Sequence, residues 1–322
     1  MCTYNGAQYL QRQFESFSSQ TFPVFELVVC DDGSTDNTVN LLAGFAEKAN
    51  FPVRIFVNER NLGSTRNFEK VIGLCEGDLI ALSDQDDEWY PDKLAEFHRL
   101  FEAFPNALAA FGNADLFDEH SALTGRDLWS RVHFSPVDKS PYLDTGILSV
   151  FLRLNHVATG ATMVFRTRLR DEFTPIPNSW MHDGWIAWIA ALQGGLAVLP
   201  KSKMRYRIHS QQQVGLGQSS FAKRLEFARR NAIAGYSSLI EQLQHIRRYL
   251  EEQESNGRST GLIAKVDAKI CHLQHRALLP SSSLQRTWWI LRSWREYWLY
   301  ARGPISMLKD MLFTSISPSS GE

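Results

Sequence analysis

Apolar residues along the first hundred positions alternate between two periods. The runs FELVVC (25–30), VRIFVN (53–58) and DLIALS (78–83) have the length of strands and each ends in polar residues. Between and after them, VNLLAGFAEKA (39–49), RNFEKVIGLCE (66–76) and PDKLAEFHRLFEAF (91–104) space their apolar positions at three and four. The spacing predicts strand, turn, helix, repeated, with Ser34 or Asp36 capping the first of these helices and Pro91 in the first turn of the last. Strands alternating with helices predict an α/β fold with a mainly parallel sheet covered on both faces. Ligands in such folds bind beyond the carboxyl ends of the strands. Two acid-rich segments lie there, Asp31 to Asp36 and Asp84 to Glu88.

From about residue 216 the period becomes purely helical. Phe221, Leu225, Ala228, Ala232, Tyr236, Leu239, Leu243, Ile246 and Leu250 define a long amphipathic helix. After the polar EEQESNGRSTG a second helix is expected over roughly 260–278, and LQRTWWILRSWREYWLYAR (284–302) reads as a third. The chain therefore divides into an α/β region, 1–215, and a helical extension, 216–322. Charge divides the same way: residues 201–322 hold 19 Lys/Arg against 9 Asp/Glu, while the 322-residue chain as a whole is near neutral, at −1. The acidic first half disfavours nucleic acid as a partner.

Hydrophobic content of 44% indicates a folded protein, and no apolar run is long enough to span a bilayer. No basic, then apolar, leader opens the sequence. Cys2, Cys30, Cys75 and Cys271 are far apart, with no CxxC pair and no zinc spacing, and read as reduced thiols of a cytosolic protein. In SDQDDEWY, four acids fall within five positions just after a strand. Like charges so close disfavour one another's ionisation unless a cation sits among them, so the cluster is either a solvated turn or a cation site.

Four segments in order, CTYNGAQYLQRQFESFSSQTF, FELVVCDDGSTDNT, ERNLGSTRNF and LSDQDDEWYPDKL, resemble the nucleotide-sugar-dependent glycosyltransferases of family 2, which have the GT-A fold. The resemblance covers residues 2 to about 210. With HDGW and YRIHSQQQVG added, it is most similar to the bacterial rhamnosyltransferases.

By that resemblance Thr3, Tyr4 and Asn5 match the loop that holds the nucleotide base, and Asp32 the acid that bonds a pyrimidine imide. Asn61 and Arg66 stand near the donor. Asp84 and Asp86 match a D-x-D motif, Asp86 as ligand of Mg²⁺ or Mn²⁺ on the diphosphate and Asp84 near the ribose or a metal-bound water. Such hard cations take one or two carboxylates plus substrate phosphates. Asp183 matches the general base that deprotonates the acceptor hydroxyl; as a bland alternative it caps the following helix. His182, Trp185 and Gly160 fall on the acceptor side or behind it, with Gly160 equally readable as a turn glycine. His209 either completes the metal shell or lies on a surface loop.

The resemblance also implies an inverting reaction. Its donor is dTDP-L-rhamnose or a UDP-sugar, and its acceptor a cell-surface saccharide, free or lipid-linked. A catalytically silent nucleotide-sugar-binding protein is the alternative class. Relatives open with an apolar strand of five or six residues directly before the Thr3 loop. Here only Met1 precedes Cys2, so the first strand is expected to be missing and the protein to begin upstream of Met1. The interleaved Trp, Tyr and Arg of 285–302 suit the anionic inner face of a bacterial cytoplasmic membrane, or a helix packed with its arginines outward.

Overall fold

The structure, a computed structural model, describes residues 1–118, 122–134, 146–155, 157–208, 232–253 and 260–312. It divides into two compact units, one of Met1–Ile147 with Val157–Gly217, the other of Leu148–His156 with Gln218–Glu322.

The first unit opens with β1 (Cys2–Thr3), α1 (Ala7–Ser18), β2 (Leu27–Asp31), α2 (Thr38–Ala46), β3 (Val53–Val57), α3 (Ser64–Leu74), β4 (Leu79–Ala81), β5 (Glu88–Trp89) and α4 (Lys93–Ala103). Each strand and helix expected between residues 25 and 104 is present. Where the first strand was expected to be missing, the two-residue β1 runs parallel to β2 with Cys2 opposite Cys30. All five residues of β2 are buried, as a parallel strand covered on both faces requires.

Beyond them come β6 (Ala109–Phe117), β7 (Leu123–Asp127), α5 (Leu128–Val132), β8 (Met163–Arg166), α7 (Arg170–Phe173), α8 (His182–Leu192) and β9 (Leu196–Arg207); α6 (Gly146–Leu154), which follows α5 in the chain, belongs from Leu148 onward to the second unit. Two sheets result. One is wholly parallel, in the order β1-β2-β3; the other runs β4-β8-β6-β9-β5, with β7 on β6. In the second sheet only β6 and β9 are parallel, so the whole is a mixed α/β arrangement, less parallel than the strand–helix alternation predicts. Among the described residues, one apolar cluster of the unit gathers Met1, Leu10, Phe14, Val29, Leu42 and Trp89 among others, and another is built on Phe97, Phe101, Ala110 and Val164.

In the second unit, helices span Ala232–Glu252, Thr260–Ala277, Ser283–Arg292, Trp294–Tyr300 and Pro304–Leu312. The third expected helix is thus two, broken at Ser293, a residue type that favours caps over helix interiors. Positions 221–231 of the first expected helix lie outside the described residues. Ile290, Tyr297 and Ala301 are the buried core of the short helices, and a buried ion pair joins Arg276 to Asp310 at 2.7 Å.

Candidate active site

The turn after β2 is built by its own side chains. Asp31 accepts from Thr3 Oγ1 at 2.7 Å, from the Ser34 amide at 2.8 Å and from Ser34 Oγ at 2.6 Å. Asn5, held at a left-handed φ of 47°, donates its amide to Ser34 Oγ and accepts from the Thr35 amide, both at 2.8 Å. Asn is among the residues that tolerate this conformation best. Thr3 is buried and Tyr4 exposed, so this loop presents the Tyr4 ring to solvent from a rigid base.

Asp32 is buried and committed. Its carboxylate accepts from Asn58 Nδ2 and the Leu62 amide at 2.8 Å and from the Gly63 amide at 2.9 Å. These bonds use three of roughly four acceptor positions on a carboxylate, so Asp32 first of all fixes the 58–63 loop. Asn61 accepts from the Gly63 amide at 3.0 Å in that loop. Arg66 follows on α3, tied to Glu69 and Asn178, and lines a cavity of about 470 Å³ with Gly63 and Met181.

The loop after β4 leans on the Tyr4 loop. Gln85 Oε1 accepts from the Tyr4 amide at 2.8 Å, and its Nε2 donates to the Tyr4 carbonyl at 3.1 Å. The Gln85 side chain crosses directly over Gly6, where a Cβ would stand 2.1 Å from Oε1. From the other side Arg207 grips the acidic turn: its Nε donates to the Asp86 carbonyl at 2.9 Å and its amide to Asp87 Oδ1 at 3.2 Å. The guanidinium lies 4.2 Å from the centre of the Phe117 ring, within cation–π range.

Asp183 enters from α8. Its Oδ2 accepts the Gly160 amide at 2.9 Å and its Oδ1 the Gly184 amide at 2.7 Å, which orients the carboxylate. His182 is buried, stacks on Phe68 at 3.9 Å, and neither ring nitrogen has a hydrogen-bond partner. Burial pushes its pKa down against the opposing pull of Asp183, so the ring is neutral. Trp185 is turned inward, donating Nε1 to the Phe173 carbonyl at 2.8 Å. It buttresses the Asp183 segment from behind and does not face an open cleft.

Electrostatics ties the acids together. The Asp84 pKa is raised to about 7, first by burial and then by the charges of Asp86 and Asp183. The charge of Asp183, a hundred positions away in the chain, is thus felt at Asp84. Burial and the charges of Asp86 and Asp84 also push Asp87 well up. Lys93, fully buried, donates to the Ala161 carbonyl at 2.7 Å, and burial holds its pKa at about 7 although Asp87 and Asp84 pull it upward. Tyr206 is raised by burial and by Asp87, Asp84, Asp86 and Asp183 in turn. Neither Lys93 nor Tyr206 stands out in the sequence, because their proximity to the acids is made by tertiary packing.

Among the described residues no three acids, histidines or cysteines form a ready-made metal cage. A cation bound mainly through substrate phosphates needs only one or two carboxylates, and a carboxyl whose ionisation is opposed by neighbouring carboxylates is suited to one. His209, expected to complete such a shell, lies outside the described residues.

The model of the family described as "Glycosyl transferase family 2" matches residues 1–171. The chain belongs to this family. Over 193 residues it is 32% identical to the putative teichuronic acid biosynthesis glycosyltransferase TuaG of Bacillus subtilis, covering 60% of this chain and 70% of that one. Over 319 residues it is 24% identical to an uncharacterized protein of Mycobacterium tuberculosis, covering 98% of this chain and 87% of the other. Among solved structures, S. aureus TarS 1–349 in complex with UDP superposes with a TM-score of 0.55 at 18% identity, covering 90% of this chain and 76% of TarS. The Pyrobaculum calidifontis mannosyltransferase PcManGT, in complex with GDP-Man and Mn2+, does so with 0.51 at 15% identity, covering 97% and 84%. The fold is that of the GT-A glycosyltransferases, and this family 2 member is a glycosyltransferase that uses a nucleotide-sugar donor.

Proposed function

We propose that the protein transfers L-rhamnose from dTDP-L-rhamnose to a cell-surface saccharide, with inversion and with help from a divalent cation. The reading is supported by the carboxylate of Asp183, pinned by the Gly160 and Gly184 amides, and by the buried Asp84, whose pKa is raised by burial and then by the charges of Asp86 and Asp183. Asp86 holds the cation, and Mg²⁺ or Mn²⁺ bound there supplies positive charge to the diphosphate oxygens. The Tyr4 loop, braced by Gln85, and Asp32 receive the base and ribose side of the donor.

Asp183 accepts the proton of the acceptor hydroxyl as that oxygen bonds to the anomeric carbon. The bond from that carbon to the diphosphate oxygen breaks on the opposite face, and its electron pair leaves with the nucleoside diphosphate. A single displacement of this kind inverts the anomeric centre. Proton removal in the transition state contributes about 10²- to 10⁴-fold.

The rhamnose assignment rests on the segments SDQDDEWYPDKL, HDGW and YRIHSQQQVG. A UDP-sugar is the second reading, favoured by the UDP bound to TarS. Calorimetric titration of dTDP and of UDP, each with and without Mn²⁺, tests both against the unaltered chain and Asp86→Ala. Cation-dependent binding that disappears in Asp86→Ala supports the site, and tighter dTDP supports rhamnose. Equal binding by both proteins, or none by either, removes the donor-site reading.

A lipid-linked acceptor at the cytoplasmic membrane suits the second unit. No helix there is long and apolar enough to cross a membrane, among the described residues. Trp288, Leu291, Trp294 and Trp298 are at least half exposed. Arg292 lies over Trp288 and Arg295 over Trp294. Exposed aromatics interleaved with cations match an anionic lipid surface, where each basic side chain is worth about 1 kcal/mol. Co-sedimentation with vesicles containing phosphatidylglycerol, lost in a Trp288→Ser, Trp294→Ser, Trp298→Ser variant, is the expected result. Sedimentation unaffected by those changes rules the surface out.

A further inference from the structure

Between Asp84 and Asp86, whose ionised side chains can only accept hydrogen bonds, stands a residue that can both accept and donate. The Gln85 carboxamide uses both capacities on one residue: Oε1 accepts the Tyr4 amide at 2.8 Å and Nε2 donates to the Tyr4 carbonyl at 3.1 Å. Paired bonds to the N–H and C=O of a single residue are what a hydrogen-bonded neighbour in an antiparallel ladder makes. Two positions earlier the same segments meet through backbone, the Cys2 amide donating to the Ser83 carbonyl at 3.3 Å. Gln85 extends that contact with a side chain and fixes Tyr4 in both position and rotation.

Gly6 supplies the room. Its φ is −107°, a negative value open to residues with side chains, so its backbone does not call for glycine. What calls for it is the carboxamide lying over it, since a Cβ would stand 2.1 Å from Oε1, 2.3 Å from Cδ and 2.9 Å from Nε2 of Gln85.

The segments joined by Gln85 are anchored separately. On the far side of the Tyr4 loop, the Asn5 amide donates to Ser34 Oγ at 2.8 Å, the Gly6 amide to Thr38 Oγ1 at 2.9 Å and the Ala7 amide to Asp36 Oδ2 at 3.1 Å. The acidic turn is held by Arg207 through the Asp86 carbonyl and Asp87 Oδ1. Like charges drive Asp84 and Asp86 apart, and a cation draws them in. Either movement shifts the Gln85 backbone between them, and its paired bonds pass the shift to Tyr4.

We propose that Gln85 is a positioning residue that couples the two halves of the donor site: a divalent cation at the acidic turn tightens the hold of the Tyr4 loop on the nucleotide base, and the base tightens the hold on the cation by the same factor. This rests on the donor-site reading above and adds to it a route through the protein. Without that route, a cation aids nucleotide binding only through the phosphates it touches. Two exposed, neutral hydrogen bonds carry the coupling, so a factor of about five, the low end for linked sites, is expected.

The test separates base from phosphate. Calorimetry gives the factor by which Mg²⁺ strengthens binding of UDP and of dTDP, and the factor by which it strengthens binding of inorganic pyrophosphate, which has the two phosphates and no base. Both are measured on the unaltered chain, Gln85→Met, Gly6→Ala and the double variant. Gln85→Met keeps the length of the side chain and loses both bonds. Gly6→Ala keeps the carboxamide but drives it off Tyr4, a displacement that the free end of a flexible side chain absorbs without disturbing the fold. The expected nucleotide factor in the unaltered protein is about five times the pyrophosphate factor. The two factors become equal in each single variant, and combining the variants loses nothing further, as two routes to one broken contact require. In both variants the Tyr4 amide, left without its acceptor, exchanges faster with solvent. Equal factors in the unaltered protein, or a ratio that survives in both variants, would overturn the proposal. Absence of any Mg²⁺ effect on nucleotide and pyrophosphate alike in the unaltered protein removes the cation reading itself, and the coupling with it.

Discussion

Gly160 donates its amide to Asp183 Oδ2 at 2.9 Å, and a Cβ at Gly160 would stand 2.7 Å from His182 Nε2. One glycine thereby sets both the orientation of the proposed base and the clearance of the ring beside it. His182 cannot retreat, because it is stacked on Phe68 inside the core. Gly160→Ala is therefore expected to push α8 outward at its first turn. Displacement of a reacting group by about 1 Å can cost 10²-fold in rate. Turnover should fall on that order while nucleotide titration is unchanged. Loss of nucleotide affinity of the same size would mean that Gly160 serves the donor loop instead.

Asp183→Asn removes the proton acceptor and keeps the size of the side chain. The expected loss of turnover is about 10²- to 10⁴-fold with donor affinity retained, read from steady-state rates beside calorimetry on the same sample. A variant with near-normal turnover would assign Asp183 to capping α8, whose first turn it occupies, and would leave the reaction without its base.

How much of this was legible beforehand follows from which forces act locally. The strand β2 announces itself because a parallel strand buried on both faces is a continuous apolar run, and β3 and β4, less buried, are still legible as short apolar runs bounded by polar residues. In contrast β6 and β9 are longer, Ala109–Phe117 and Leu196–Arg207, yet AAFGNADLF and LAVLPKSKMRYR mix small, polar and charged residues that only their neighbours make into strands. Asp84, Asp86 and Asp183 are readable as motif positions. Lys93 and Tyr206 are not, since a lysine in PDKL reads as a solvated helix residue until packing buries it beside Asp87. The Gln85 brace is equally hidden, being a contact between residues 81 positions apart in the chain.

Arg207 offers a stability prediction distinct from catalysis. Its side chain is 5% exposed and joins the Asp86 carbonyl, Glu88 and the Phe117 ring. Removing one partner of a buried ion pair costs about 3–5 kcal/mol, and the low end applies here because Glu88 keeps Arg205 at 3.4 Å and Arg12 at 3.5 Å. Arg207→Met should lower unfolding stability by roughly 3 kcal/mol and loosen the acidic turn, seen as faster amide exchange at 84–88. A stability change below about 1 kcal/mol would show that the guanidinium is not holding that turn.

The second unit makes a prediction in pH. Lys269 is 3% exposed and donates Nζ to the Tyr300 carbonyl; burial first, and the Arg276 charge second, lower its pKa from 10.5 to about 7. Arg276 and His272 lie within electrostatic reach of it, the latter also kept neutral by burial and by the Arg276 charge. Between pH 7 and 10.5 the unfolded chain keeps a proton on Lys269 that the folded chain has lost. Because the unfolded state binds more protons there, stability rises with pH across that window, by up to about 1.4 kcal/mol per unit from this one group. Below pH 7 the folded state must charge the buried amine, and the full penalty is present. Lys269→Met removes the titration and keeps the apolar stem. The stability advantage of the variant over the unaltered protein should therefore be largest at pH 6 and shrink steadily to pH 9, measured by denaturant unfolding at fixed ionic strength. A difference that stays constant over that range would mean that Lys269 keeps its proton in the folded protein and that its burial is compensated by the Tyr300 carbonyl.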